Sequence, residues 1–548
     1  MTSPVIEAGD DLPLTVPALL AARVALRPDQ VFLAVDDTTL TYAEADRCSA
    51  ELARALLVDG ASAGTRIALL HPNGPEFVTA WLAVSRLGAV SVPLSTFSTS
   101  TELVELLRGA DVAVLLAASG YRSQDYVASL KAGIADLDMT APPPLFSERV
   151  PSLRRVRFDL EGSDHSLHAG WTVSGLLALA SAIGGDVVGA AESAVTPADR
   201  MVVVHTSGSS SQPKGVIHTH GALIRHLDNL NQLRRYRPGE ILFSNSPFFW
   251  IGGLAYALLG TLVAGATLVC SNAASAAGVL AVLERRRPTM VNGFAASVAH
   301  VSQDPTFSSR DLSSIRRGNL YPIMPADVRP ADPELRHAML GMTEAGSVCL
   351  ASDDESEQPE SRRGSFGRPV PGFEASVRHT DDGGECGSGE VGELWFRSPF
   401  LMEGYDGREH HEVFDRFGWF RTGDLVTVDD DGFFYFRGRA NDMIKTAGAN
   451  VSPSEGEAAI LEVSGLVAHV VGVEDHHRGQ LVAALVCAPA DAVGDLDDLG
   501  VRLRQRLSTY KVPRRIVVVP EDEVPMMSSG KLDLRALKKL LSTDDGTR

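Results

Sequence analysis

The sequence contains little cysteine and has no excess of positive charge. Its 548 residues include five cysteines, and the formal net charge is −19 at pH 7. A negative net charge argues against non-specific binding to nucleic acid or to an anionic membrane surface. The cysteines lack a C-x-x-C pair or metal-site spacing, so we expect a reducing compartment and small buried side chains rather than nucleophiles. They are Cys48, Cys270, Cys349, Cys386 and Cys487.

The pattern also lacks a secretory signal and a convincing membrane span. The first ten residues contain no basic start followed by an apolar run. Residues 251–270 carry no charge over a length that can cross a bilayer, but four glycines interrupt them. We interpret this run as a buried helix at 254–263 followed by a short strand at 266–270. The chain is therefore expected to be cytoplasmic, without a transmembrane segment.

Short apolar strands alternate with amphipathic helices through most of the chain. We predict strands at 66–70, 89–93, 112–116 and 201–205, and helices at 75–87, 100–109 and 218–235. This β-α-β order predicts an α/β fold in which helices flank parallel sheets. Residues 429–432, Asp-Asp-Asp-Gly, predict a hairpin turn. From residue 437 a smaller α/β unit is expected, with helices at 453–463 and 496–507 and strands at 467–473 and 481–488.

A loop rich in hydroxyl groups follows the strand at 201–205. Residues 206–215 contain five hydroxyl side chains, two glycines and one lysine. Hydroxyls and backbone N–H groups can bind phosphate oxygens, and a lysine adds charge, so an anion site is one interpretation and a flexible surface turn is the other. No Gly-Lys-Ser/Thr ends the loop, which excludes a Walker A motif. The candidate ligands are Thr206, Ser207, Gly208, Ser209, Ser210 and Lys214.

This loop resembles the phosphate-binding signature of the adenylate-forming superfamily. That family includes acyl-CoA synthetases, aryl-CoA ligases, the adenylation domains of peptide synthetases and beetle luciferases. The family pattern is Thr-Ser-Gly-Thr-Thr-Gly-x-Pro-Lys-Gly. Ser209 and Ser210 replace the threonines here and keep the hydroxyls, whereas Ser211 replaces a glycine. The resemblance implies that the loop binds the β- and γ-phosphates of ATP.

A second segment, Leu340-Gly341-Met342-Thr343-Glu344, resembles the family's Tyr-Gly-x-Thr-Glu motif. The resemblance implies that Thr343 binds the α-phosphate and that Glu344 is a ligand of Mg²⁺, a hard cation that prefers oxygen. Leu340 stands where the family has an aromatic ring stacked on adenine, and it still offers an apolar wall. Alone, this segment is also typical of a helix N-terminus.

Two further matches follow in the family's order. Residues 420–424, Phe-Arg-Thr-Gly-Asp, place Asp424 where the family's aspartate accepts hydrogen bonds from both ribose hydroxyls, although Gly-Asp alone is also typical of a turn. Residues 437–455 resemble the linker and the start of the mobile C-terminal domain. There the resemblance implies that Arg439 contacts ribose or phosphate, that Asn441 is the hinge, and that Gly448 lines the tunnel for the pantetheine arm of coenzyme A.

The last match is Pro525 to Arg535, which resembles the family's Pro-x-x-x-Ser-Gly-Lys-x-x-x-Arg. It implies that Lys531 is the catalytic lysine, because an ammonium group stabilises the charge that develops as a carboxylate attacks the α-phosphate. A solvated lysine near a chain end is the alternative. On the substrate side, Trp250 replaces a histidine in the segment 246–253 and is interpreted as a wall of the acyl pocket, as a gate of the thiol tunnel or as a core tryptophan.

The resemblance covers nearly the whole chain, from about residue 14 to residue 541. It implies an N-terminal AMP-binding domain at 1–437 that ends in a distorted β-barrel, a hinge at 438–442, and a mobile α/β lid at 443–548. The expected activity is acyl-CoA synthesis in fatty-acid and lipid metabolism, with ATP, Mg²⁺, coenzyme A and a hydrophobic carboxylic acid. An acyl-AMP ligase that serves a carrier protein and a non-catalytic nucleotide-binding homologue are the alternatives. The oligomeric state is open, with a homodimer as one candidate.

Overall fold

In the computed structural model the chain divides into two compact units. The first comprises Met1–Glu374 and Arg397–Phe420, and the second comprises Ala375–Phe396 and Arg421–Arg548. The structure describes residues 12–160, 162–163, 165–206, 213–440, 444–446, 449–451, 453–475, 479–489, 496–507, 511–527 and 532–542. The hinge predicted at 438–442 includes residues outside these ranges, so the hinge and the domain limits stay predictions.

The larger sheet of the first unit has seven strands. Their order is Gly404–Tyr405, Lys214–Thr219, Arg200–Thr206, Val90–Pro93, Arg66–Leu70, Val114–Ala118 and Arg155–Asp159. The five strands from Arg200–Thr206 onward pair in parallel, as the alternation of strands and helices predicts. The two outermost strands on the other side, Lys214–Thr219 and Gly404–Tyr405, join antiparallel.

One predicted boundary in this sheet is wrong. We predicted a helix from residue 218, but the strand Lys214–Thr219 continues through residue 218 and the helix is His220–Leu233. The strand continues because it pairs with Arg200–Thr206, and Thr219 then caps the helix by accepting a hydrogen bond from the N–H of Ala222.

The second sheet of this unit has six strands. Their order is Arg317–Gly318, Met290–Asn292, Ile241–Ser244, Thr267–Cys270, Val31–Val35 and Thr38–Thr41. The uncharged run forms one helical segment, with π-type turns at Gly252–Leu259 and an α-helix at Gly260–Ala264. Gly265 then turns the chain in the left-handed region, at φ 64°, into Thr267–Cys270. The predicted helix-then-strand order is therefore confirmed.

The remaining elements of the first unit surround these sheets. A three-stranded sheet contains Leu340–Met342, Ser347–Ala351 and Arg368–Pro369, and a small hairpin contains Gly120–Tyr121 and Gln124–Asp125. The other α-helices are Val16–Leu26, Tyr42–Val58, Pro75–Arg86, Ser100–Gly109, Tyr126–Gly133, Val173–Leu177, Gly185–Ala194, Ala276–Arg286 and His410–Val413. Within the described ranges no single helix has the length and apolarity to cross a membrane. Val173–Ala182 with Gly185–Ala194 meets those criteria only as a pair bent by 98°.

The second unit contains two sheets. One has the strands Glu374–Arg378, Gly392–Arg397, Phe420–Val428 and Phe434–Arg439, and Val428 pairs with Phe434 across the predicted hairpin turn. The other has the strands Ala449–Val451, Ile444–Thr446, Gly479–Cys487 and Val467–Asp475, with Arg515–Val519 parallel to Gly479–Cys487. The helices are Pro453–Ser464, Leu496–Arg506 and Leu534–Ser542. The predicted α/β class, with a larger and a smaller part, is confirmed.

Candidate active site

The hydroxyl-rich loop connects two paired strands. Thr206 ends the strand Arg200–Thr206, Lys214 begins the strand Lys214–Thr219, and these two residues lie opposite each other in the register. The pairing brings the two ends of the loop together, as a phosphate-binding loop requires. Both side chains are partly accessible. Ser207, Gly208, Ser209 and Ser210 lie outside the described residues and stay predictions.

Thr343 and Glu344 lie at the tip of a second hairpin. The strand Leu340–Met342 ends at a single 3₁₀ turn, Thr343–Ala345, and Ser347–Ala351 returns antiparallel to it. Gly346 closes the turn at φ 71°, and its N–H donates to the Thr343 carbonyl at 2.9 Å. Leu340, Gly341, Met342, Thr343 and Glu344 are all at least partly accessible to solvent. The turn thus presents a hydroxyl and a carboxylate side by side.

Gly341 of this motif is required sterically. A Cβ atom at this position would lie 2.9 Å from the carbonyl oxygen of Ser347 on the facing strand. Even alanine would therefore push the two strands of the hairpin apart. This contact gives the glycine a structural reason within the hairpin itself.

Tyr405, which the sequence reasoning missed, joins the two hairpins. Its hydroxyl donates a hydrogen bond to Oε1 of Glu344 at 2.8 Å. The Nζ of Lys214 lies 5.1 Å from the centre of its ring, within the range of a cation–π contact. One tyrosine therefore contacts both the lysine of the predicted phosphate loop and the predicted metal ligand. Nothing in the local sequence of the short strand Gly404–Tyr405 indicates that Tyr405 makes these two contacts.

His218 is the second residue that the sequence reasoning missed. It is fully buried, and its Nε2–H donates to the Thr343 carbonyl at 2.7 Å. Burial lowers the pKa of His218 to about 4, so the imidazole is neutral near pH 7. A neutral ring protonated on Nε2 suits this bond, because a carbonyl oxygen accepts only. His218 thereby fixes the Thr343 turn to the strand that follows the phosphate loop.

An ion pair holds the segment around Tyr405 in place. Arg66 binds the carboxylate of Asp406 with two nitrogens, at 2.6 and 2.7 Å, and both side chains are about one-fifth exposed. The N–H of Asp406 donates to the carbonyl of Gly215 at 2.7 Å. The bidentate geometry gives the pair directional precision. The ion pair anchors the segment of Tyr405 to the strand Arg66–Leu70, and the backbone bond anchors it to the end of the loop.

Asp424 and Arg439 form an ion pair in the second unit. They lie opposite each other on the strands Phe420–Val428 and Phe434–Arg439, and Nε of Arg439 is 2.6 Å from Oδ1 of Asp424. The Asp424 side chain is 2% exposed and that of Arg439 is 54% exposed. The structure thus brings together two residues that the motifs placed fifteen positions apart. Their contacts with ribose and phosphate stay predictions.

Trp250 is partly exposed and belongs to a row of aromatic side chains. Its ring meets Phe249 edge-on at 5.5 Å and Phe294 edge-on at 5.3 Å, and Phe249 meets Phe97 at 5.6 Å. Asn245 fixes the backbone of Phe294 through two hydrogen bonds of 3.0 Å. Phe294, which is 49% exposed, was missed by the sequence reasoning. This row favours a pocket wall over a fully buried core position, and the pocket role stays a prediction.

The three remaining predicted residues, Asn441, Gly448 and Lys531, lie outside the described residues. Their roles as hinge, tunnel and catalytic lysine stay predictions.

Comparison with known proteins identifies the family. The model of the AMP-binding enzyme family matches residues 20–406, and the model of the AMP-binding enzyme C-terminal domain matches residues 455–531. Feruloyl-CoA synthase from an Amycolatopsis species is 32% identical over 521 residues, which cover 93% of this chain and 96% of that enzyme. Long-chain-fatty-acid–CoA ligase FadD13 from Mycobacterium tuberculosis is 28% identical, over 92% of this chain and 94% of that enzyme.

A solved structure shows the same fold. ATP-bound MatB from Rhodopseudomonas palustris superimposes with a TM-score of 0.77 at 21% identity, over 96% of this chain and 98% of MatB. The resemblance inferred from the motifs is therefore confirmed over nearly the whole chain. The chain belongs to the AMP-binding enzyme family and is an acid–thiol ligase of the acyl-CoA synthetase type, which uses ATP to form an acyl-adenylate and then an acyl-CoA.

Proposed function

We propose that this enzyme activates a hydrophobic carboxylic acid with ATP and Mg²⁺ and transfers the acyl group to coenzyme A. The observation that carries the proposal is the contact of one tyrosine, Tyr405, with both Lys214 and Glu344. It places a cation suited to phosphate beside a carboxylate suited to a hard metal ion. A nucleoside triphosphate and its metal ion suit this combination, because the lysine can bind the phosphates and the carboxylate can bind the metal ion.

In the first half-reaction an oxygen of the substrate carboxylate attacks the α-phosphorus of ATP. A new oxygen–phosphorus bond forms, the bond to the bridging oxygen breaks, and pyrophosphate leaves. We assign Thr206, Lys214 and the loop hydroxyls to the β- and γ-phosphates, and Thr343 to the α-phosphate. Donors that are in place before the reaction stabilise developing charge without rearranging, which is the role assigned to these groups.

Glu344 fits a magnesium ligand, because its carboxylate is partly accessible at a hairpin tip and is oriented by the hydroxyl of Tyr405. Mg²⁺ bound there would neutralise phosphate charge. We assign the adenine to Leu340, Gly341 and Met342, and the ribose to Asp424. Arg439, whose guanidinium is half exposed beside Asp424, is assigned to the ribose or a phosphate.

In the second half-reaction the thiol of coenzyme A attacks the carbonyl carbon of the acyl-adenylate. The carbon–sulfur bond forms, the bond to AMP breaks, and the thiol proton passes to solvent. We assign Lys531 to adenylation and Gly448 to the thiol path, with Asn441 as the hinge between the two steps. A glycine suits the path because any side chain there would narrow it.

The aromatic row supports an apolar acid. Phe97, Phe249, Trp250 and Phe294 form a chain of ring-to-ring contacts, which favours an aromatic or long aliphatic group over a small polar one. One relative, feruloyl-CoA synthase, is named for an aromatic acyl group, and another, the long-chain ligase FadD13, is named for an aliphatic one. A carrier-protein acceptor is not favoured, because these relatives are CoA ligases.

We place the enzyme in the cytoplasm, where ATP and coenzyme A are available, and we retain a homodimer as a candidate assembly. Fractionation of the native host and sedimentation of the purified protein test these two points. Recovery of the enzyme with membranes would contradict the first, and sedimentation as a monomer at micromolar concentration would contradict the second.

A panel of acids tests the function itself. Pyrophosphate release is measured with fatty, aromatic and sterol-type acids, with and without coenzyme A. We expect release to depend on an apolar acid and turnover to depend on coenzyme A. Release without any acid, or turnover that is indifferent to coenzyme A, would contradict the proposal.

A further inference from the structure

Tyr405 lies on a two-residue strand at the edge of the seven-stranded sheet. It pairs with Val216, two residues after Lys214, and Gly404 pairs with Ile217. The pairing is antiparallel, so the strand lies beside the one that leads out of the phosphate loop. Its position is therefore set by its pairing with the strand Lys214–Thr219.

The segment around Tyr405 is fixed on two sides. On one side the N–H groups of Glu403 and Asp406 donate to the carbonyls of Ile217 and Gly215, at 2.9 and 2.7 Å. On the other side the N–H of Met402 donates to the carbonyl of Glu344 at 2.8 Å. These three backbone hydrogen bonds therefore join the segment to both hairpins independently of the Tyr405 side chain.

The two ends of the Tyr405 side chain make different contacts. The hydroxyl donates to Oε1 of Glu344, and a hydrogen bond to a charged acceptor is stronger than a neutral one. The centre of the ring lies 5.1 Å from the Nζ of Lys214, and the Cζ of Arg408 lies farther away, at 5.8 Å. A phenylalanine would keep the second contact and lose the first, whereas a leucine would lose both. The two contacts can therefore be separated experimentally.

We propose that Tyr405 is a positioning residue with two separable effects: its hydroxyl orients Glu344 for the metal ion, and its ring orients Lys214 for the phosphates of ATP. This inference rests on the proposed function. A free glutamate side chain loses rotamer entropy when it binds an ion, and a hydrogen bond that already orders the carboxylate removes part of that loss. The same reasoning applies to the long, flexible lysine side chain.

If Tyr405 has a role in packing alone, the two substitutions should have different effects from those proposed here. If Tyr405 only filled space, both substitutions would lower stability or the amount of active enzyme, and the apparent affinities for metal ion and ATP would stay the same. The decisive measurement is therefore the dependence of rate on each ligand rather than the maximal rate.

The test compares Tyr405→Phe and Tyr405→Leu in the full-length enzyme. Acid-dependent pyrophosphate release is titrated with Mg²⁺ and, separately, with ATP. For Tyr405→Phe we expect half-saturation by Mg²⁺ to rise about 3- to 10-fold, the size expected from the net contribution of one typical hydrogen bond, with the KM for ATP within about twofold. For Tyr405→Leu we expect the same rise for Mg²⁺ and a further 2- to 5-fold rise, roughly, in the KM for ATP.

Tyr121→Phe is the matched control. Tyr121 is also partly buried and also makes a side-chain hydrogen bond, to Asn272 at 3.2 Å. We expect wild-type half-saturation for both ligands. The same shifts in this variant would show that loss of any tyrosine hydroxyl has the effect, and they would overturn the proposal.

Binding measurements separate this inference from the proposed function. Mn²⁺, used as a magnetic probe for Mg²⁺, is titrated into each protein in the presence of a non-cleavable ATP analogue and followed by electron paramagnetic resonance. Weaker binding of Mn²⁺ in Tyr405→Phe supports the inference even if no acid is turned over. Equal binding of Mn²⁺ and equal kinetic half-saturation in wild type and Tyr405→Phe would overturn it, even if the enzyme is an acyl-CoA synthetase.

Discussion

The two compact units differ in how deeply some of their histidines are buried. Four histidines of the first unit are buried, and burial lowers their pKa to about 4, or about 3 for His226. In the described part of the second unit, His379 is exposed and His469 is partly exposed. The first unit therefore depends on keeping several imidazoles uncharged. The four buried residues are His71, His218, His220 and His226.

The candidate site differs between the units in a related way. In the first unit neutral groups contact the two motif residues directly: His218 fixes the turn of Thr343, and the hydroxyl of Tyr405 fixes Glu344. The ion pair of that unit, Arg66 with Asp406, acts on the segment that carries Tyr405. In the second unit the described site residues are an ion pair, Asp424 with Arg439. We infer that lowering the pH destabilises the first unit before the second. Substitutions of single residues in the second unit should instead slow one half-reaction and spare the other.

The largest effect is expected on stability below neutral pH. A histidine with a pKa near 4 when folded and about 6.5 when unfolded binds its proton mainly in the unfolded state between these values, so stability falls as the pH falls through that window. These four groups, together with His205, whose pKa burial also lowers to about 4, give a slope approaching about 7 kcal/mol per pH unit. Urea unfolding of the first unit, followed by tryptophan fluorescence between pH 7.5 and 5, measures this slope.

A pair of substitutions controls the pH prediction. His226 packs against the rings of Phe373 and Phe400, so His226→Phe should fit the site and lower the slope by about 1.4 kcal/mol per pH unit, the contribution of one proton. His411 is exposed, and His411→Phe should leave the slope unchanged. If the free energy of unfolding of the wild-type protein did not change with pH, the proposed difference between the units would be refuted.

The next largest effect is expected at Lys531 in the second unit. Lys531→Ala should slow acid-dependent pyrophosphate release by about 10²- to 10³-fold, because one charged donor to the transition state is lost. Thioester formation from pre-made acyl-adenylate should remain, and rapid-quench assays measure both steps. Lys538→Ala, at an exposed lysine on the last described helix, is the control. An equal loss in both steps would refute the assignment to adenylation.

Gly448 should show the opposite separation. Gly448→Leu is expected to spare pyrophosphate release and to slow thioester formation by at least about tenfold, because a side chain would narrow the thiol path. Gly448→Ala should lie between wild type and leucine. Normal formation of the thioester by the leucine variant would exclude the tunnel role.

The smallest effect is expected at the aromatic row of the first unit. Trp250→Ala or Phe294→Ala should change the ratio of kcat/KM between aromatic and fatty acids by about tenfold, since apolar pocket contacts discriminate by that order. Phe146→Ala, at an exposed ring, should change nothing. An unchanged acid profile in both site variants would return Trp250 to a structural role.

The sequence predicted local elements well, and non-local contacts poorly. Strands such as Arg66–Leu70 and helices such as Ser100–Gly109 follow from local apolar patterns and caps. The helix predicted from His218 started too early, because its first residues belong to a strand whose partner decides the outcome.

Contacts between distant residues carried no local signal. Tyr405 and Glu344 are separated by 61 positions, and Arg66 and Asp406 by 340. No periodicity or motif links such pairs, since sheet order alone brings them together. The motifs therefore propose which residues carry the chemistry, and the fold shows which residues hold the described ones in place.

The most direct test of the account is a single-turnover experiment with wild-type enzyme in excess over an apolar acid. We expect ATP and Mg²⁺ alone to convert the acid to acyl-adenylate with release of one pyrophosphate. Addition of coenzyme A should then convert the adenylate to acyl-CoA and AMP. Formation of ADP and an acyl phosphate, or an acyl-adenylate that coenzyme A does not discharge, would contradict the account.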